Sequence, residues 1–296
     1  DVAPELSVAA ELIEGAIPEG LRGTLYRNGP GDSRLGECFF DGDGMVRALR
    51  FDDQGARYHA RYVDTPKRRA ELGQSHPRRR TAGTRLPGGP LRNALRMPVS
   101  EFNTSVLPLG DRLLALHEGG PPMALDAATL ATVGLHDFGG DLPRRTPFSA
   151  HPHRDAVSGD WINFGVHQGR HAEARFFRFR DGGGLQRAGK VRLPFNSFLH
   201  DYFLTQNWMG FFLSPIELRI WPFLLGFADA FSAMRWRHDL PLELHLLRRS
   251  DGRHFRLQTE PWMAVHTIAA WDDDEDSFTV VVERNGSWEG LGEDVR

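Results

Sequence analysis

Short strand-like runs closed by Gly or Asp follow one another along most of this chain, and that pattern constrains the fold more than any single residue. The runs include GTLYRNGPG, GMVRALRFDDQG, ARYHARYVDT, DWINFGVHQG, ARFFRFRDGGG, PWMAVHTIAAWDDD and DSFTVVVERNG. Many such strands at fairly regular spacing, with turn residues at the corners, describe a sandwich, a barrel or a propeller. Two hairpins are legible directly. In VLPLGDRLLAL the pair Gly110-Asp111 divides two alternating runs, and in LHLLRRSDGRHFRLQ the pair Asp251-Gly252 does the same. Few stretches read as helix; 218–235 is the exception.

With 296 residues, 40% of them hydrophobic, the chain can bury a large core, and it is read as a single all-β domain over 1–296. A net charge of −3 gives no general attraction to nucleic acid or anionic lipid. The lone Cys38 excludes an internal disulfide and a cysteine-based zinc cluster. The opening DVAPELSVAAELIEG lacks a basic region followed by an apolar run, so no secretory signal is visible and a cytoplasmic location is expected. The most apolar stretch, 211–236, is broken by Pro215, Glu217, Arg219, Pro222 and Asp229. It is too interrupted to span a bilayer, and reads as an insertion between strands, either buried or facing a membrane. Residues 67–85 carry seven Lys or Arg against the single Glu71. Without interleaved aromatics this run reads as a solvated or poorly ordered loop and not as a nucleic-acid reader.

His151, His200 and His266 each sit at the edge of a different strand-like segment, in SAHPHRD, SFLHDYFLTQNW and WMAVHTIAAWDDDED. Ligands so far apart cannot form a finger or a helix-borne HExxH site; they would meet only where several similar units converge. A propeller brings residues from different blades to one axis. At about 40–50 residues per blade the chain would make roughly six or seven short blades, although no WD or kelch repeat is present. His153 is the nearest competitor as a ligand, because on a strand it would share a face with His151.

The runs LRGTLYRNGPG, FFDGDGMVRALRF and FNTSVLPLGDRLLALHEGGPPMALDAATL resemble the carotenoid cleavage oxygenases, a family that includes stilbene-cleaving enzymes and the retinoid isomerohydrolase. SAHPHRD, FLHDYFLTQNWMGFFLSP, RWRHDLPLELHLLRRSDG and WMAVHTIAAWDDDED match later family motifs in the same order, so the resemblance covers essentially the whole chain. It implies a seven-bladed β-propeller with one nonheme Fe(2+) on its axis, held by four histidines. Three of these map to His151, His200 and His266. The fourth family ligand lies near the C-terminus of a full-length member and has no counterpart here, so the chain reads as a C-terminally truncated member. Glu118 falls at the position of a carboxylate behind the ligands and is expected to orient His200. The other such glutamates of the family map beyond residue 296. Neutral imidazoles suit divalent iron and leave positions open for O2 or water, and carboxylates behind them balance its charge and fix the ring tautomers.

The implied reaction inserts both atoms of O2 across an alkene and gives two carbonyl products, with an apolar tunnel choosing the bond. Phe102, Phe148, Phe198 and Trp262 stand next to matched motifs and are candidates for the tunnel wall. The substrate would be an apolar polyene, and 211–236 would form the tunnel mouth with peripheral membrane contact. Stilbene-cleaving relatives carry a Lys immediately before the motif glutamate, where this chain has His117; that favours a carotenoid or apocarotenoid. Stilbene cleavage stays open, as does an inactive propeller acting as a binding module. The oligomeric state is not legible.

Overall fold

The computed structural model describes residues 2–286 and 288. Four four-stranded antiparallel sheets follow one another along the chain. The first comprises β1 (Leu6–Ala9), β2 (Gly23–Asp32), β3 (Asp43–Asp52) and β4 (Gly55–Tyr62), in spatial order β1-β4-β3-β2. The second runs in simple meander order through β5 (Ser105–Leu109), β6 (Arg112–Leu116), β7 (Met123–Asp126) and β8 (Thr132–Leu135). The third does the same through β9 (His153–Arg154), β10 (Trp161–His167), β11 (Glu173–Phe179) and β12 (Gln186–Arg192).

In the fourth, β13 (Phe203–Leu204) and β14 (Trp208–Leu213) are continued, after a short pair β15 (Ile216–Leu218) and β16 (Met234–Trp236), by β17 (Leu242–Arg248) and β18 (His254–Thr259). A hairpin of β19 (Met263–Asp272) and β20 (Phe278–Asn285) follows. Both hairpins read from the sequence are present: Leu109 pairs with Arg112 across Gly110, and Leu247 with His254 around Gly252, and both glycines take positive φ.

These sheets are the blades of a β-propeller, packed face to face in chain order. Strand side chains alternate between faces, so a strand buried on both faces must be apolar at successive positions. In β6, Leu113 and Ala115 pack against Val46 and Ala48 of the first sheet, while Leu114 and Leu116 pack toward Phe148, Phe177 and Phe179 on the third-sheet side. Ile162, Phe164 and Phe176 of the third sheet meet Met209, Phe211 and Leu213 of the fourth. Trp208 and Phe212, from the other face of β14, pack with Phe278 and Val280 of the last hairpin. Each sheet is thereby fixed at an angle to its neighbours by its own two faces.

The segment inserted in the fourth sheet differs from the sequence reading. Phe211–Leu213 belong to β14, and among the described residues of the insertion only two short helices form. With α1 (Pro66–Glu71) and α2 (Pro90–Asn93) earlier in the chain, these are α3 (Ile220–Leu224) and α4 (Ala230–Ala233). Pro222 and Gly226, at φ 78°, preclude one continuous helix.

The basic run 67–85 is only in part a solvated loop: Arg69, Arg78 and Arg79 are exposed, but Lys67 and Arg80 are not. Lys67 is buried between Asp43, at 2.9 Å, and Glu71, at 3.1 Å. Burial works against its ammonium, but the two carboxylates overcome that and hold its pKa above the ordinary value. Arg80 is buried as well. Its Nη1 donates to the carbonyls of Asn93 and Arg96, and its Nη2 to those of Phe223 and Ala228, with the guanidinium over the Phe223 ring. Two of its cations, Lys67 and Arg80, thus meet a carboxylate and backbone carbonyls that lie well away in sequence.

Candidate metal centre

His151 stands two residues before β9, His200 stands three residues before β13, and His266 lies within β19. Each is therefore placed at or just before the first strand of its sheet, and the face-to-face packing brings the three to one point. The Nε2 atoms of His151 and His200 are 2.8 Å apart, and those of His200 and His266 are 3.2 Å apart. One nitrogen from each ring lies within 4.8 Å of the others. Nitrogens bound at about 2.1 Å with a right angle at a metal lie about 3.0 Å apart, so the spacings of His200 to His151 and to His266 each fit a cis pair.

Two of the three opposite ring nitrogens meet carboxylates. Glu118 Oε1 is 3.2 Å from His200 Nδ1 and also accepts the Ala150 amide, while Glu283 Oε2 is 3.0 Å from His266 Nδ1. A carboxylate at Nδ1 keeps the proton there and leaves Nε2 as a bare lone pair. The Nε2 lone pairs of His200 and His266 are then aimed at each other, with His151 Nε2 beside them. A cation resolves that repulsion, and the donor set, all imidazole nitrogen, suits a divalent transition metal.

Glu283 was not legible as part of this site. The resemblance places the remaining carboxylates beyond residue 296, yet β20 lies antiparallel to β19 and brings one across from His266. Its signal was the hairpin register, interrupted by irregularities between Ala264 and Ala269.

Burial, and then the neighbouring His200, push the His151 pKa down from 6.5 to about 4. Burial also opposes a charged His200, but Glu118 overcomes it and raises the pKa. In turn burial tends to raise Glu118, and contact with His200 prevails to lower it. A ring whose folded pKa is depressed contributes stability that is complete above the unfolded value of 6.5 and is lost as pH falls toward about 4. His200 acts with the opposite sign, contributing below 6.5 and losing that contribution as pH rises through its folded value. Chelator-treated protein should therefore lose thermal stability between pH 6.5 and 4 more steeply than the His151→Gln variant. Parallel melting profiles over that window would refute the assignment.

The four candidate wall residues separate. Phe198 is half-buried and stacks on the His200 ring at 5.6 Å between centroids. Phe102 packs between the first two sheets, 6.5 Å from the His117 ring, and holds a left-handed φ of 55°. Phe148 has no accessible surface; it is core, among Phe138, Phe177 and Phe179, and presents nothing to a tunnel. Trp262 packs on Phe212 beneath Arg284, as part of the packing between the fourth sheet and the last hairpin. His153 does not join the cluster, because its Nε2 is taken by Asp201 at 3.1 Å. His117 Nδ1 lies 3.6 Å from Glu101 Oε2, and burial holds the His117 pKa down and the Glu101 pKa well up, disfavouring the charged form of each.

Sequence and structure comparisons define the family. The family described as Retinal pigment epithelial membrane protein, RPE65, matches residues 1–288. The chain belongs to that family, the carotenoid cleavage oxygenases. The apocarotenoid-15,15'-oxygenase of Synechocystis is 32% identical over 276 residues, covering 89% of this chain and 56% of that protein. Resveratrol cleavage oxygenase 1 of Aspergillus fumigatus is 31% identical over 290 residues, covering 90% of this chain and 54% of that protein. A solved structure of the cobalt-substituted Synechocystis enzyme superposes with a TM-score of 0.85 at 30% identity, covering 94% of this chain and 61% of that one. The chain thus spans little more than half the length of the curated relatives it matches.

Proposed function

We propose that the whole protein is a nonheme iron(II) dioxygenase that cleaves a double bond of a carotenoid or apocarotenoid with O2 to give two carbonyl products. The convergence of three imidazole nitrogens, two of them backed by carboxylates, carries this reading. His151, His200 and His266 would hold the ion, and iron(II) supplies the activation of O2. Glu118 and Glu283 keep the Nδ1 protons in place and offset the cation's charge. Phe198, stacked on His200, gives the site an apolar flank against which a polyene can lie. Bond choice is then a matter of where the chain is held along that flank.

His117 stands where stilbene-cleaving relatives carry a lysine, and burial lowers its pKa and so disfavours a charged ring. Such a ring is a poor source of a cation for a phenolate, which supports a polyene over a hydroxystilbene. The resveratrol-cleaving relative, at 31% identity, supports stilbene cleavage as the second reading. Incubating the full-length protein with an apocarotenal and, separately, with a hydroxystilbene distinguishes them by chromatography of the aldehydes. Turnover of the hydroxystilbene alone would overturn the preference.

Substrate delivery draws on the apolar cap. Leu91, Leu95, Met97, Trp221 and Phe227 are each at least 61% exposed, and the Leu95 amide bonds the Leu224 carbonyl, which joins their two segments. Among the described residues no helix is long and apolar enough to cross a membrane. An exposed apolar cap of this kind suits peripheral contact. The parent protein should float with liposomes, and a variant with Leu91, Trp221 and Phe227 replaced by serine should stay behind. Equal flotation of the two would remove membrane contact from the account.

A further inference from the structure

We infer that Asp201 is a positioning residue that holds the three histidine-bearing segments in register, a role that rests on the metal reading above. Its side chain is 5% exposed and receives hydrogen bonds from three directions. Oδ1 accepts from His153 Nε2 at 3.1 Å and from the Tyr202 amide at 2.8 Å, and Oδ2 accepts from the Thr267 amide at 2.8 Å. His153 is two residues beyond His151, Asp201 follows His200 directly, and Thr267 follows His266 directly. One carboxylate therefore ties together residues one or two positions beyond each of the three rings, and these arrive from three separate sheets.

Tyr202 reinforces the same junction. Its hydroxyl accepts the His153 amide at 3.3 Å and donates to the Ile162 carbonyl at 2.7 Å, which anchors the His153 segment to β10. A carboxylate is the group such a junction needs, because all three partners donate and an ionised Asp only accepts. An asparagine would keep one acceptor and place an amine against a donor. Since a metal site demands its ligands within about 0.5 Å of the productive geometry, a shift of any one segment degrades the cluster. This also accounts for His153, which is fixed outside the cluster by its bond to Asp201 and serves to hold His151.

The test uses full-length protein loaded with cobalt(II), comparing Asp201→Ala, Asp201→Asn and His153→Phe. Asp201→Ala should weaken cobalt binding about 10–100-fold. It should also alter the ligand-field bands at saturating cobalt and speed amide exchange at Thr267 in the metal-free protein. Asp201→Asn should recover part of the affinity. His153→Phe, at a half-buried position, should shift the bands with little change in melting temperature, and it carries the test if Asp201→Ala does not fold. Parental bands and affinity in the variants, with only the melting temperature lowered, would reduce Asp201 to a structural residue. A parent without cobalt bands would instead sink the metal reading and this role with it, even where Thr267 exchange still responds to Asp201→Ala.

Discussion

Replacing His200 with alanine is expected to abolish metal retention and alkene cleavage by the full-length protein. His200 is the middle member of the cluster, since its Nε2 is the one in short contact with both other rings. It is also the ring in contact with Glu118. Removing it takes away a ligand and leaves Glu118 without its imidazole partner. The loss should exceed the roughly 10–100-fold that follows removal of an outer partner alone, which is the scale expected for Glu118→Gln. Metal analysis and product chromatography of the two variants together check this. An alanine variant that keeps full metal content would place the ligands elsewhere.

The largest stability effect is expected at Phe176. Its ring has no accessible surface and joins Phe164 and Tyr202 to Phe211 across the boundary between the third and fourth sheets. Phe176→Ala removes a large buried ring and leaves a cavity that rigid strands on both sides cannot close, at a cost of about 3–5 kcal/mol. The same boundary sets the distance between His151 and His200, so metal affinity should fall together with stability. Denaturant unfolding that gives a loss below about 1 kcal/mol would contradict this placement of the core.

How much of this was legible in the sequence depends on the range of each interaction. Strands announced by local alternation and a Gly-Asp or Asp-Gly corner, such as β5, β6, β17 and β18, were readable because their partner is the next run of residues. The edge strand β12 was not, since its residues are mostly exposed and polar and its strand character comes from pairing with β11. The apolar run 211–236 was visible as a composition, but its division into the end of β14, a strand pair and two short helices depends on what packs around it. Lys67 and Arg80 read as surface charge because Asp43 and the Phe223 carbonyl, which bury them, are distant in sequence. For the site, local sequence offered only three separated histidines, and the ordered family motifs singled them out. Glu283 and Asp201 depend on strand register and on the approach of separate sheets, which no local pattern encodes.

The central claim is that His151, His200 and His266 hold one metal ion together. X-ray absorption at the iron edge of the full-length protein, reconstituted anaerobically with iron(II), tests it most directly. The account predicts about one iron per chain and a first shell near 2.1 Å with the multiple scattering of several imidazoles, diminished in His200→Ala. Iron that washes away on gel filtration, or a first shell without imidazole scattering, would contradict it.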